Sequence, residues 1–283
     1  MRAAIEIKKS GGGRETFDAA KLEQSLQLAG ADDALVSKIS SHILEEAIGG
    51  MTTDQIYDHA YFLLKKYKSP AIARYSLKRA VSQMGPTGFP FEHYIAELFK
   101  ARGFSATTNV IVEGGCARHE IDVVAWNSDE LVMMEAKFHG DFGLKSDLKV
   151  ALYVRGRAED ISKKSYSFGG ITRKVNQFLL VTNTNFSLSA ISYSACVGLG
   201  LLGWTYPAKG NLHDLIDDSG LHPLSCLTTL GASHQRMLFE RGIVLCKSIK
   251  NNSGILHSLG LSQHETDGIL AEANLVCEPR AKL

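Results

Sequence analysis

His119-Glu120-Ile121-Asp122-Val123-Val124-Ala125-Trp126 is followed by Asn127-Ser128-Asp129-Glu130 and then by Leu131-Val132-Met133-Met134-Glu135-Ala136-Lys137. Two β-branched and apolar runs separated by a polar cluster read as a hairpin. Placing Trp126 opposite Leu131 sets Asp122 opposite Glu135, with Lys137 on the face of Glu135 two residues further on. Opposed carboxylates would have Cβ atoms roughly 4.5–5.5 Å apart and would repel each other. A divalent cation relieves that repulsion, which makes the hairpin a candidate metal site. The plainer reading is a surface charge ladder, in which Glu120 opposite Lys137 forms an ordinary ion pair.

Around the hairpin the pattern continues as a mixed sheet with flanking helices. Gly85-Pro86-Thr87-Gly88-Phe89-Pro90 breaks regular structure and marks a linker. An amphipathic helix is predicted over 91–102 with Pro90 at its start, stopped by Gly103. Strands are predicted at 107–112, 118–126, 130–138, 177–183 and 200–204, with a helix at 190–198. An acid on one strand and an acid-x-lysine on the next suit metal-assisted phosphodiester hydrolysis. Carboxylates hold Mg²⁺, which takes oxygen ligands, and a lysine ammonium orients water or offsets developing oxyanion charge. Glu92 is the best-placed third carboxylate, with Glu97 as the alternative. His119 is either a tuning group or a hydrogen-bonded neighbour. Tyr153, Arg155 and Arg157 either touch DNA phosphates or form a solvent-facing helix stripe.

With those residues in view, 86–206 resembles the PD-(D/E)xK restriction-endonuclease-like fold, in its Mrr-type and Holliday-junction-resolvase-like branch. The resemblance rests on Phe91-Glu92, Asp122, Glu135-Ala136-Lys137 and the later strand Phe178-Leu179-Leu180-Val181-Thr182-Asn183. It implies Glu92, Asp122 and Glu135 as catalytic metal ligands, the Ala136 carbonyl as a further ligand, and Lys137 as the catalytic lysine. Ile121, rather than Pro, precedes Asp122. The implied activity is that of a Mg²⁺- or Mn²⁺-dependent endodeoxyribonuclease acting on DNA.

The N-terminal segment carries Ile7-Lys8-Lys9-Ser10-Gly11-Gly12-Gly13-Arg14-Glu15-Thr16-Phe17-Asp18. Strands flank a glycine turn, and Asp18 stands where a helix N-cap belongs. Thr52-Thr53-Asp54 opens a later helix, with Ile56, Ala60, Leu63 and Leu64 on its inner face. A basic glycine hairpin is either a flexible turn or a polyphosphate cradle, and no Walker A pattern is present. Together with Lys21-Leu22, Met51-Thr52-Thr53-Asp54-Gln55-Ile56-Tyr57 and Ala71-Ile72-Ala73-Arg74-Tyr75, the segment resembles an ATP-cone. That is the regulatory nucleotide module of ribonucleotide reductases and their repressor. The resemblance implies that Lys8, Lys9, Glu15, Lys21 and Thr53 contact ATP or dATP. Ser10 replaces an arginine common there, which leaves ATP against dATP open.

From about Asn211 strand signals stop. Leu227-Thr228-Thr229-Leu230-Gly231-Ala232-Ser233 and Leu256-His257-Ser258-Leu259-Gly260-Leu261-Ser262 resemble a pair of helix-hairpin-helix units, but also suit plain helix packing. The expected fold class is therefore multidomain α+β and α/β. It comprises a hairpin with a helical bundle (1–84), a mixed sheet with helices (86–206) and an all-helical segment (211–283). Bulk charge of +1, from 31 basic and 30 acidic residues, does not announce a nucleic-acid binder, although basic residues outnumber acidic ones between His139 and Lys174. Five scattered cysteines suggest neither zinc ribbon nor disulfide framework and fit a reducing cytoplasm. No signal peptide and no membrane association are expected. The combined expectation is a nucleotide-regulated DNA endonuclease that forms a homo-oligomer. The alternative is an ATP- or dATP-sensing nucleic-acid-binding regulator with a catalytically silent nuclease fold.

Overall fold

A computed structural model describes residues 6–8, 13–46, 50–67, 69, 71–85, 87–141 and 143–277. Lys9 and the Ser10–Gly12 turn lie outside the described residues. The chain divides into two compact units. The first comprises 1–79, 226–229 and 249–283, and the second comprises 80–225 and 230–248. The break thus falls at Arg79–Ala80 rather than in the Gly/Pro stretch, and residues 211–283 are shared between the units instead of standing apart. No described helix is long and apolar enough to cross a membrane.

In the first unit, β1 (Glu6–Lys8) and β2 (Arg14–Thr16) pair antiparallel, with Ile7 opposite Glu15 and Lys8 opposite Arg14. Helices α1 (Ala19–Leu28), α2 (Asp33–Glu46), α3 (Thr53–Lys66) and α4 (Ala71–Ser82) follow. Asp18 caps α1 by accepting from the Ala20 amide at 3.0 Å. Thr52 and Gln55 form a reciprocal capping box on α3. The inner faces close on a core of Ile7, Leu26, Ile39, Ile43, Leu63 and Ile72, all buried.

The second unit begins with α5 (Phe89–Ala101) and a five-stranded sheet containing β3 (Ser105–Glu113), β4 (Arg118–Trp126) and β5 (Leu131–Lys137). After β6 (Lys145–Ser146), α6 (Leu148–Ile161) and a small hairpin of β7 (Tyr166–Phe168) and β8 (Ile171–Arg173), the chain returns to the sheet as β9 (Gln177–Thr182). Then come β10 (Asn185–Phe186), α7 (Leu188–Val197) and β11 (Gly200–Leu202). Sheet order is β11-β9-β5-β4-β3, antiparallel from β3 to β5 and parallel from β5 to β11. Parallel neighbours need long crossovers, and α6 and α7 supply them. The β7–β8 hairpin was not expected, although Gly169-Gly170, with φ of 60° and 78°, is a typical two-residue hairpin turn.

Beyond the sheet lie α8 (Leu212–Ser219), a 3₁₀ turn (Leu224–Cys226), α9 (Ala232–Glu240), α10 (Cys246–Asn251), α11 (Gly254–His257) and α12 (Gln263–Val276). The two Leu-Gly segments do open helices, but α9 lies in the second unit and α12 in the first. What ties α12 into the first unit is Glu272. Its buried carboxylate accepts from the backbone amides of Thr228 (3.1 Å) and Thr229 (2.8 Å) and from both threonine hydroxyls, with Lys65 at 3.5 Å. Burial pushes the Glu272 pKa up, but the Thr229 and Thr228 hydrogen bonds outweigh it and hold the group below the usual carboxylate range.

Candidate functional site

β4 and β5 pair with Trp126 opposite Leu131, the register expected from the sequence. The ladder runs only to Val123–Met134, one pair short of Asp122 and Glu135. On the other side of β4, pairing with β3 skips the Asn109–Asp122 position, where Asn109 has φ of 55°. Positive φ in a non-glycine residue is uncommon, and asparagine tolerates it best. The sheet is therefore irregular on both sides of Asp122. In place of a backbone carbonyl, the Asp122 carboxylate accepts the Ala136 amide at 2.7 Å. That bond aims Asp122 at the residue between Glu135 and Lys137.

Glu92, Asp122 and Glu135 are each pushed above their ordinary carboxylate values, first by burial. Burial, then the charges of Asp122, Glu120 and Glu135, push the Glu92 pKa up to about 7. Burial also raises Asp122, against the Ala136 hydrogen bond and the positive charges of Arg157 and Lys137. Glu135 is raised by burial and by Asp122, again against Arg157 and Lys137. Glu92 enters this group from the first turns of α5, which Phe91 anchors against Phe138, the residue after Lys137, with ring centroids 5.8 Å apart. Glu97 instead pairs with Lys100 at 2.7 Å. Lys137 ends β5 exposed, and no hydrogen bond or ion pair engages its ammonium among the described residues.

Four further residues shape the site. Arg157 of α6 forms an ion pair with Glu135, and its other guanidinium nitrogen donates to the Glu120 carbonyl. It points inward beside Ile121, Met133, Val154 and Phe178 rather than lying on a solvent stripe. Arg155 is occupied by Glu159 and the Val197 carbonyl, and only Tyr153 of the three remains outward, 60% exposed. Glu120, on the face of Asp122 by strand alternation, acts on Glu92 and Asp122 and forms no ion pair with Lys137 among the described residues. Asn183, fully buried, exchanges hydrogen bonds with the His139 backbone at 2.8 and 2.7 Å and so holds the turn after Lys137. The His139 imidazole stands 3.1 Å from the Ser146 hydroxyl. His119 belongs elsewhere: it bonds Asp160 at 2.9 Å.

The three carboxylates offer oxygen donors alone, but they do not form a group whose ligand atoms all lie within 4.8 Å of one another, so a shared ion would have to draw them together. Their partial burial and mutual repulsion are the conditions a Mg²⁺ or Mn²⁺ ion would relieve. Arg157 offsets part of that charge and engages one oxygen of Glu135.

In the first unit, Glu15, Lys21 and Thr53 line one cavity of about 260 Å³ with Phe17, Tyr57 and Tyr75. Lys21 and Glu15 lie 3.7 Å apart, and the two tyrosine rings stack at 4.9 Å. Lys8 is not in that cavity; it lines an adjoining groove with Glu6, Arg14 and Gly50. The reason is strand alternation: Ile7 and its partner Glu15 face the cavity, so Lys8 and its partner Arg14 face away. Lys9 lies outside the described residues.

Residues 222–277 match the family described as AF1548-like, C-terminal. An uncharacterised protein of Archaeoglobus fulgidus is 35% identical over 183 residues, which span 64% of this chain and 99% of that protein. The chain belongs to the AF1548-like family. The crystal structure of AF1548, a protein of unknown function, superposes with a TM-score of 0.57 at 34% identity, over 68% of this chain and 98% of that one. VC1899 from Vibrio cholerae aligns at a TM-score of 0.28 and 13% identity, over 79% of this chain and 53% of that one, too weak for any argument. The AF1548-like C-terminal match includes the Thr228–Thr229 loop and Glu272, so the clasp of the first unit lies inside the family segment.

Proposed function

We propose that this AF1548-like chain is a nucleotide-responsive, Mg²⁺-dependent DNA endonuclease with a restriction-endonuclease-like second unit and an ATP-cone-like first unit. The observation that carries the reading is that Glu92, Asp122 and Glu135 are all raised by burial, with Asp122 and Glu135 further opposing Glu92, beside an unengaged Lys137. Such perturbed groups cluster at functional sites. Glu92, Asp122, Glu135 and the Ala136 carbonyl would hold the cation, which supplies a lowered water pKa and neutralisation of phosphoryl charge. Asp122 is oriented for that role by the Ala136 amide. Lys137 would place its ammonium against the scissile phosphate or the attacking water. Arg157 orients Glu135 and leaves one of its oxygens for ligation.

Glu15, Lys21 and Thr53 would contact ATP or dATP, with Tyr57 and Tyr75 offering ring faces to the base. ATP then acts as an effector through different affinities for two states or assemblies. Association of two copies, in a cytoplasmic setting, would allow both DNA strands to be cut. The ion pair of Arg157 with Glu135 favours one competing reading, a nucleic-acid-binding regulator whose nuclease site is silenced by an internal cation. Supercoiled plasmid incubated with Mg²⁺ separates the two. Cleavage by the wild type, reduced at least about 100-fold in Asp122→Ala and Lys137→Ala, is expected. An inert wild type that still retards DNA in a gel supports the regulator.

A further inference from the structure

His42 and Glu46 stand one helical turn apart on α2, and His59 projects from α3 onto the same carboxylate. Nε2 of His42 is 3.3 Å from Glu46 Oε1, and Nε2 of His59 is 3.1 Å from Glu46 Oε2. The three ligand atoms all lie within 4.8 Å of one another, and the imidazole rings meet edge-on with centroids 5.3 Å apart. Zinc binds imidazole nitrogen at about 2.0–2.1 Å and carboxylate oxygen at about 2.0–2.2 Å, so neighbouring ligands on a tetrahedron lie about 3.3 Å apart. Each imidazole nitrogen meets a different oxygen of Glu46, so a single ion would gather both nitrogens onto one of those oxygens. With all three ligand atoms within 4.8 Å of one another, rotation about the side-chain bonds of the exposed Glu46 and the half-buried His42 brings them onto a common ion.

We infer that His42, Glu46 and His59 form a zinc site that clips the end of α2 to the middle of α3. Two imidazoles and one carboxylate suit Zn²⁺ or Co²⁺ and not Mg²⁺, which takes oxygen donors. Three protein ligands leave a fourth position for water or an exogenous ligand. Without a metal the same atoms form only an imidazole–carboxylate hydrogen-bond pair. That pair has no preference among cations, so the two arrangements differ in what can be measured. The site shares no residue with the acids of the second unit and stands whether or not those acids cut DNA.

The test uses the full chain, stripped with a chelator and dialysed against Zn²⁺, with bound metal counted by plasma mass spectrometry. His59→Gln and His42→Gln should each hold one zinc fewer per chain than the wild type. Losing an outer-shell partner weakens metal binding by about 10–100-fold, so losing a direct ligand should weaken it by more than about 100-fold. Co²⁺ provides a second readout that needs no variant, because a four-coordinate site absorbs visible light strongly and a six-coordinate carboxylate site only faintly. Equal zinc in the wild type and in both folded histidine variants overturns the inference. So does the absence of strong Co²⁺ absorption in the wild type.

Discussion

Glu92 sits where burial and the charges of Asp122, Glu120 and Glu135 all oppose its ionisation. Its folded pKa of about 7 lies above the unfolded value of about 4.3. The native state therefore binds more protons than the unfolded state between those values, and Glu92 costs increasing stability as pH rises through that window. Glu92→Gln should raise stability by on the order of 2 kcal/mol at pH 8 and change it little at pH 4. Urea titrations at the two pH values check this, and equal effects at both would refute it. If Glu92 ligates a metal as proposed it must be ionised, so Mn²⁺ affinity of the wild type should fall as pH drops below about 7, with proton release on binding. The same substitution should thus gain stability and lose metal.

At the scale of elements, the hairpin of β4 and β5 and the clasp of α12 behave differently. Alternating apolar residues and a polar turn specify the hairpin locally, and its register was readable because a one-residue slip would turn every side chain to the wrong face. The interrupted pairing at Asn109 and Asp122 was not readable, since it depends on a side chain replacing a ladder partner. The Glu272 clasp joins residues far apart in sequence and leaves no periodic trace. Its depressed pKa means that its stabilisation is present above the unfolded carboxylate pKa and is lost as pH falls through the folded value. Glu272→Gln should cost about 1.5–3 kcal/mol at pH 7, the range for hydrogen bonds to a charged group, and nothing in strong acid. Hydrogen exchange along α12 reads this out; unchanged protection at neutral pH would show that the clasp is not energetically important.

For the whole molecule, the linked questions are whether nucleotide binds the first unit and whether it changes cleavage. A ligand that binds only the native state stabilises it by about 2.7 kcal/mol at 100 times its dissociation constant. ATP or dATP should raise the melting midpoint of the wild type and fail to do so in Lys21→Ala. It should also alter the plasmid cleavage rate of the wild type but not of that variant. A midpoint insensitive to both nucleotides would remove the effector role while leaving the nuclease reading untouched.

The chain of residues 118–137 carried its own strand register and the approach of Asp122 to Glu135, because hydrophobic alternation and turn chemistry act between near neighbours. Asp18, Thr52 and Pro90 marked helix starts for the same local reason. Alternation could also have warned that Lys8 and Glu15 face opposite ways, had the pairing of Ile7 with Glu15 been known. Only the folded chain placed Arg157 on Glu135, drew the 226–229 loop under Glu272 and brought His59 to the carboxylate of Glu46. Each of those contacts joins separate elements, and their approach is governed by how apolar faces pack rather than by any spacing along the chain.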